Sequence, residues 1–118
     1  AEMHRAYRAA DVALSRAGAL SVSELAAVGL PAILVPYPFA ADDHQRWNAA
    51  FLADAGGAVV VNDADCTGER LGAILDPLFA DRGRLDAMRR SLASVARRDA
   101  ARIIAEDILR LAARPERA

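Results

Sequence analysis

A chain of 118 residues, 54% hydrophobic and 26% charged, is long enough for one small domain with its own core, and its composition excludes a disordered polypeptide. Fifteen basic and sixteen acidic residues leave a formal charge of −1, which offers no electrostatic basis for binding nucleic acid or an anionic membrane. A single cysteine, Cys66, rules out an internal disulfide and fits a reducing compartment. Every basic residue is arginine, which reads as genome composition rather than function. The longest apolar run, "GLPAILVPYPFAA", carries three prolines and is too short to span a bilayer, and no signal peptide is visible.

The chain opens inside a helical pattern over residues 2–9, which reads as a piece of something longer. "DVALS" at 11–15 is a compact apolar run expected to form a buried strand. A helix follows over 21–28, ended by Gly29 and Pro31, with glycine at the usual C-terminal position. "AILVP" at 32–36 is a second buried strand, and Pro36 and Pro38 force an extended loop after it. The next helix is expected from Asp43 to Ala55, stopped by Gly56 and Gly57, before a third strand, "AVVV", at 58–61. The polar loop "NDADCTG" leads to a helix near 69–80. A helical tail spans 84–113, with one break expected near Arg98–Asp99. Ile103, Ile104, Ile108, Leu109 and Leu111 give that tail an apolar stripe, read as core packing rather than a membrane surface.

Apolar strands alternating with helices predict a parallel sheet covered on both faces, with right-handed crossovers. Three strands make half of a Rossmann-like domain, and ligands of such sheets bind beyond the carboxyl ends of the strands. The loops 16–21, 36–44 and 62–67 are therefore where chemistry is sought.

In the first loop, Gly18 permits a tight turn and the close approach of a ligand. A helix starting near Ser21 would offer unpaired N–H groups and a positive dipole end to a phosphate. "SVSE" is equally a Ser-x-x-Glu capping box, in which Ser21 and Glu24 satisfy backbone donors reciprocally, and on pattern alone the box is the commoner occupant of such a string. In the second loop, Asp43 is a candidate helix cap and Trp47 reads as a packing residue. Asp42, Asp43 and His44 lack the converging partners a divalent metal needs, and neither His44 nor His4 is read as a catalytic base. In the third loop, "DAD" at 63–65 resembles the metal-binding Asp-x-Asp of some glycosyltransferases, but such clusters are common turn formers. Cys66 reads as a structural thiol.

The string "ADVALSRAGALSVSELAAVGLPAILVPYPFAADDHQRWNAAFLADAGGAVVV" resembles the C-terminal domain of the MurG family, family 28 glycosyltransferases of GT-B architecture that act in bacterial peptidoglycan synthesis. The likeness runs over roughly residues 7–62 and keeps the order and spacing of the motifs, with "GALSVSE" in place of the family's "GALTVSE", so that Ser21 keeps the hydroxyl. It implies an α/β, Rossmann-like three-layer parallel sheet, the second half of a C-terminal GT-B domain. Residues 1–118 are then a single partial domain with 84–113 as its helical tail.

The resemblance further implies that Gly18, Ala19, Leu20, Ser21, Val22 and Ser23 line the diphosphate and sugar of UDP-N-acetylglucosamine, and that Glu24 binds the ribose hydroxyls. A carboxylate suits a vicinal diol because it accepts two hydrogen bonds. Gln45 would contact the sugar hydroxyls, with Arg16, Asp43 and Asn48 as supports, Asn48 by fixing the loop. The family's uracil contact falls immediately before the helix at Met3, upstream of Ala1. No catalytic residue, metal or cofactor is expected in this segment; the donor nucleotide is a substrate. The lipid-linked muramoyl-pentapeptide acceptor would be held by an N-terminal domain, with membrane contact also outside this segment, at the cytoplasmic face of the bacterial plasma membrane.

The whole enzyme would be an inverting hexosyltransferase, with this segment inactive alone. Two alternatives are another GT-B UDP-sugar enzyme, such as a UDP-N-acetylglucosamine 2-epimerase, and a non-catalytic nucleotide-binding module. Exposed strand edges would also favour self-association of the chain.

Overall fold

The computed structural model describes residues 10–39 and 44–112; within 99–112 it describes the helix backbone and the side chains of Ala105, Ile108 and Leu109. The expected helix at 2–9, His4, the uracil position, and Asp42 and Asp43 with their capping and metal readings lie outside the described residues.

Three short strands, β1 (Ala13–Ser15), β2 (Ala32–Leu34) and β3 (Ala58–Val60), form one parallel sheet in the order β1-β2-β3. The register sets Ala13 beside Ala32 and Ala32 beside Ala58. The strands are shorter than the apolar runs, yet the ladder continues past them: Val35 N–H donates to the Ser15 carbonyl and Val61 N–H to the Leu34 carbonyl, both at 2.9 Å. The difference from the expected bounds is thus one of strand ends, where pairing persists without regular geometry. Only the central strand is buried on both faces; β1 and β3 are edges among the described residues, with Leu14 and Val60 partly exposed.

Helices α1 (Ala19–Val28), α2 (His44–Asp54) and α4 (Arg82–Ala112) contribute to one apolar layer, and α3 (Gly68–Ala80) to the other. On the first face Ala32, Leu34 and Ala58 pack with Val22 and Leu25 of α1, Ala49 and Leu52 of α2, and Leu92 and Val95 of α4. On the second, Ile33, Val35 and Val61 meet Cys66 and the α3 side chains Leu71, Ile74 and Leu75. Consecutive strand residues point to opposite faces, so the apolar runs feed both layers at once. The expected three-layer α/β sheet is the observed one.

Each junction has a local cause. Gly29 ends α1 in the left-handed region at φ 76°, and the Leu30 N–H donates back to the Leu25 carbonyl at 3.0 Å, closing a Schellman-type end. Gly56, at φ 93°, does the same for α2. Thr67 caps α3, its hydroxyl accepting the Arg70 N–H at 3.1 Å. Asp11 receives Arg82 and Arg89 at 3.1 and 3.2 Å, tying the entry of β1 to the start of α4.

Two expectations for the tail are corrected. Helix α4 runs unbroken through Arg98–Asp99, because that stretch holds no glycine or proline and charged residues do not interrupt a helix. Of the apolar stripe expected to be core, Ile108 and Leu109 are 60% and 69% exposed, while the side chains of Ile103, Ile104 and Leu111 lie outside the described ones. A helix of 31 residues rises about 46 Å, whereas three-residue strands cover only about 10 Å, so its last turns have no sheet beneath them. Trp47 is the third correction. At 75% exposure it does not pack, since it precedes Ala49 by two residues and so faces roughly 200° away from the buried side of α2.

Candidate functional site: the carboxyl edge of the sheet

Parallel strands deliver their exits to one edge, and the loops after β1, β2 and β3 meet there as expected. Helix α1 begins earlier than the sequence pattern suggests. Its N-cap is Gly18, at φ −63° and ψ 152°, a residue with no side chain to cap the helix. Ser21 therefore sits inside the first turn and Glu24 in the second, so the Ser21–Glu24 capping box does not form: neither residue occupies the position from which a box is built. The first-turn N–H groups have no acceptor within the helix ladder, and the dipole adds positive potential there. Gly18 has an ordinary extended backbone, so the turn does not require glycine. What its missing side chain leaves is open space, with no atom within 4 Å of where a Cβ would stand.

Around this terminus Ala19, Leu20, Ser23 and Glu24 are exposed and Ser21 is half-buried. Val22 turns into the core and its N–H donates to the Gly18 carbonyl at 3.0 Å, so it builds the helix rather than offering a polar atom. Glu24 stands about one to one and a half turns beyond the first N–H groups. Helical side chains lean toward the N-terminus, which carries its carboxylate back toward that end.

The other loops are fastened to this one. Asn48 of α2 donates through Nδ2 to the Ala17 carbonyl at 3.0 Å, so it fixes the loop before α1 rather than the loop before its own helix. Gln45 accepts the Tyr37 N–H through Oε1 at 2.7 Å, anchoring the Pro36–Phe39 turn to α2. Tyr37 and Phe39 meet edge to face at 5.7 Å. His44 opens α2 and is exposed.

The most connected side chain is Arg16, the first residue after β1. Its Nη1 lies 2.6 Å from Asp63 Oδ1 and 3.5 Å from the Val35 carbonyl, and its guanidinium sits over the Tyr37 ring at 5.5 Å. Asp63 begins the 3-10 turn Asp63–Asp65 that follows β3, which is the turn-forming role read for "DAD". Sequence reading named Arg16 as a support and missed its partner. A parallel sheet implies that the residues after β1 and β3 share an edge, but not which of them pair. A cleft of about 230 Å³ opens beside the pair, lined by Leu14, Ser15, Arg16, Val35, Asp63 and Cys66. Cys66 packs against the apolar layer under α3, in keeping with a structural thiol. Among the described residues no three His, Cys, Asp or Glu side chains group as a metal site, and no helix is long and apolar enough to cross a membrane.

Known proteins are similar to this chain in sequence and fold. Residues 1–104 match the model of the "Glycosyltransferase family 28 C-terminal domain". A UDP-N-acetylglucosamine--N-acetylmuramyl-(pentapeptide) pyrophosphoryl-undecaprenol N-acetylglucosamine transferase from Methylococcus capsulatus is 49% identical over 105 residues, which are 89% of this chain and 30% of the relative. The protein of the same description from Shewanella amazonensis is 53% identical over 105 residues, 89% of this chain and 29% of its own length. Acinetobacter baumannii MurG, known from its crystal structure, superposes with a TM-score of 0.71 at 41% identity, covering 78% of this chain and 26% of that one. The chain thus spans about three-tenths of the length of these curated relatives.

Proposed function

The chain belongs to the glycosyltransferase family 28 C-terminal domains, and from that premise we propose that it carries the donor side of an N-acetylglucosamine transferase that uses UDP-N-acetylglucosamine. The observation that carries this reading is the N-terminus of α1, open at Gly18, with Glu24 one to one and a half turns beyond it.

In this reading the diphosphate lies against the first-turn N–H groups of Ala19, Leu20 and Ser21, with the Ser21 and Ser23 hydroxyls and Arg16 adding donors. Glu24 accepts both hydroxyls of the ribose, and Gln45 meets the sugar with its amide while its oxygen holds Tyr37. Asn48 supports the loop before α1. Stabilising the departing diphosphate is one of the two requirements of an inverting transfer; the other is a base that deprotonates the acceptor hydroxyl. This chain serves the first, and no residue of it is assigned the second. The lipid-linked muramoyl-pentapeptide acceptor, the cytoplasmic face of the plasma membrane and the role in peptidoglycan synthesis belong to the reading of the whole protein, whose relatives carry those substrates in their names. The reading needs neither a metal nor a cofactor.

Titration of the isotope-labelled chain with UDP and 2′-deoxy-UDP, followed by amide chemical shifts, tests the assignment. Glu24→Gln is expected to weaken UDP binding about tenfold, the scale of a hydrogen bond to a charged group, and to remove the preference for the ribose over the deoxyribose. Equal binding of both nucleotides by the parent chain sinks the diol assignment. Shifts confined to residues away from the α1 N-terminus sink the site.

A further inference from the structure

Resting on that donor-site reading, we infer that Asp63 is a positioning residue: it holds the Arg16 guanidinium across the carboxyl edge of the sheet, ready to meet a nucleoside diphosphate at the start of α1.

The placement follows from the topology. Arg16 leaves β1 and Asp63 leaves β3, with β2 between them, so the pair bridges two inter-strand spacings, about 9.5 Å. An arginine covers that distance only when extended, and this one lies over the exit of β2, with Nη1 3.5 Å from the Val35 carbonyl and Cζ 5.5 Å from the centre of the Tyr37 ring. The cation is thus fixed from three strands at once. Its origin is two residues before the Gly18 N-cap, so the charge is added to the same edge as the first-turn N–H groups.

The division of donors suits a second anion. A guanidinium presents five N–H groups in a rigid fork. Asp63 and Val35 engage Nη1, which leaves Nε and Nη2 to donate in the bidentate manner that phosphate oxygens accept. An arginine that is not held must give up rotamer freedom when it binds; one already held by its neighbours gives up less. The opposing effect, repulsion between Asp63 and the diphosphate, is screened because both members of the pair are well exposed, at 50% and 39% of their side chains. Orientation therefore outweighs repulsion. The same exposure means that the pair adds little to the stability of the fold, so its removal reads out in binding.

The network continues to the sugar side. The Arg16 cation sits 5.5 Å from the centre of the Tyr37 ring, and the Tyr37 N–H is held by Gln45, so the residue assigned to the phosphates and the residue assigned to the sugar both meet the same turn. Asp63, assigned to neither part of the donor, sets the far end of that chain of contacts.

The test is a double-mutant cycle on UDP binding by the full chain, read by amide chemical shifts, with thermal midpoints measured in parallel. Asp63→Ala is expected to weaken UDP binding about threefold to fivefold, the scale of an exposed ion pair, without moving the thermal midpoint. Asp63→Asn, which keeps an acceptor oxygen, should fall between it and the parent. In an Arg16→Gln background, Asp63→Ala should have no further effect. Unchanged or tighter UDP binding by Asp63→Ala, or the same loss in the Arg16→Gln background, overturns the positioning role and leaves the donor site standing. Absence of UDP binding by the parent chain overturns the donor site and the inference with it.

Discussion

The Gln45 carboxamide accepts the Tyr37 N–H at 2.7 Å through Oε1, which sets its plane and reserves its NH2 group as the donor assigned to a sugar hydroxyl. Gln45→Ala should accordingly lower the preference for UDP-N-acetylglucosamine over UDP by about fivefold to tenfold, as expected for one lost hydrogen bond to a neutral partner. Parallel calorimetric titrations with the two ligands check it, and an unchanged ratio removes Gln45 from the sugar side. The candidate site residues were named through the resemblance, which rests on one contiguous string with a hydroxyl after a glycine, a carboxylate in the next turn and an amide opening the following helix. Their partners were not. Nothing in the string around Asn48 says that it bonds Ala17, thirty-one positions away, or that Arg16 finds Asp63. Such pairs exist only once the strands are aligned.

Helix ends show the same division at the next scale. Gly29 and Gly56 were read as terminators and both adopt the left-handed backbone that makes glycine the favoured residue there. The start of α1 was misplaced because Ser21 and Glu24 match a capping box in sequence, while the chain leaves β1 so directly that Gly18 becomes the cap. Gly57 has a different function from its neighbour. A Cβ at this position would overlap the Leu92 side chain of α4, so the glycine lets the long helix approach the sheet. Gly57→Ala is expected to cost about 1 to 3 kcal/mol, the usual penalty for overpacking a core. Gly72→Ala, placed in α3 with open space around it, should instead stabilise by up to about 1 kcal/mol through helix propensity. Chemical denaturation of the two variants distinguishes the sites, and equal effects of the two substitutions contradict the close-packing account.

The molecule as a whole is one α/β/α sandwich whose three loop clusters share an edge, while the end of α4 carries exposed Ile108 and Leu109 beyond the sheet. The curated relatives are more than three times as long as the segment matched here. An inverting transfer needs the acceptor and its base as well as the donor, so the 118-residue chain alone is expected to bind UDP and to transfer no sugar. A radiolabelled transfer assay with a lipid-linked muramoyl-pentapeptide measures this; turnover above the protein-free background rejects it.

The order of strands and helices, the parallel sheet and the residue types at its carboxyl edge were all determined by the sequence, because apolar periodicity and glycine punctuation act over a few residues. Tertiary structure alone decided that Glu24 is not a box partner of Ser21, that Trp47, Ile108 and Leu109 face outward, and that Arg16 is held by Asp63 and Tyr37. Each of these depends on which helix face meets the sheet or on which strand exits become neighbours. Those are long-range facts, set by packing the strands and helices into layers.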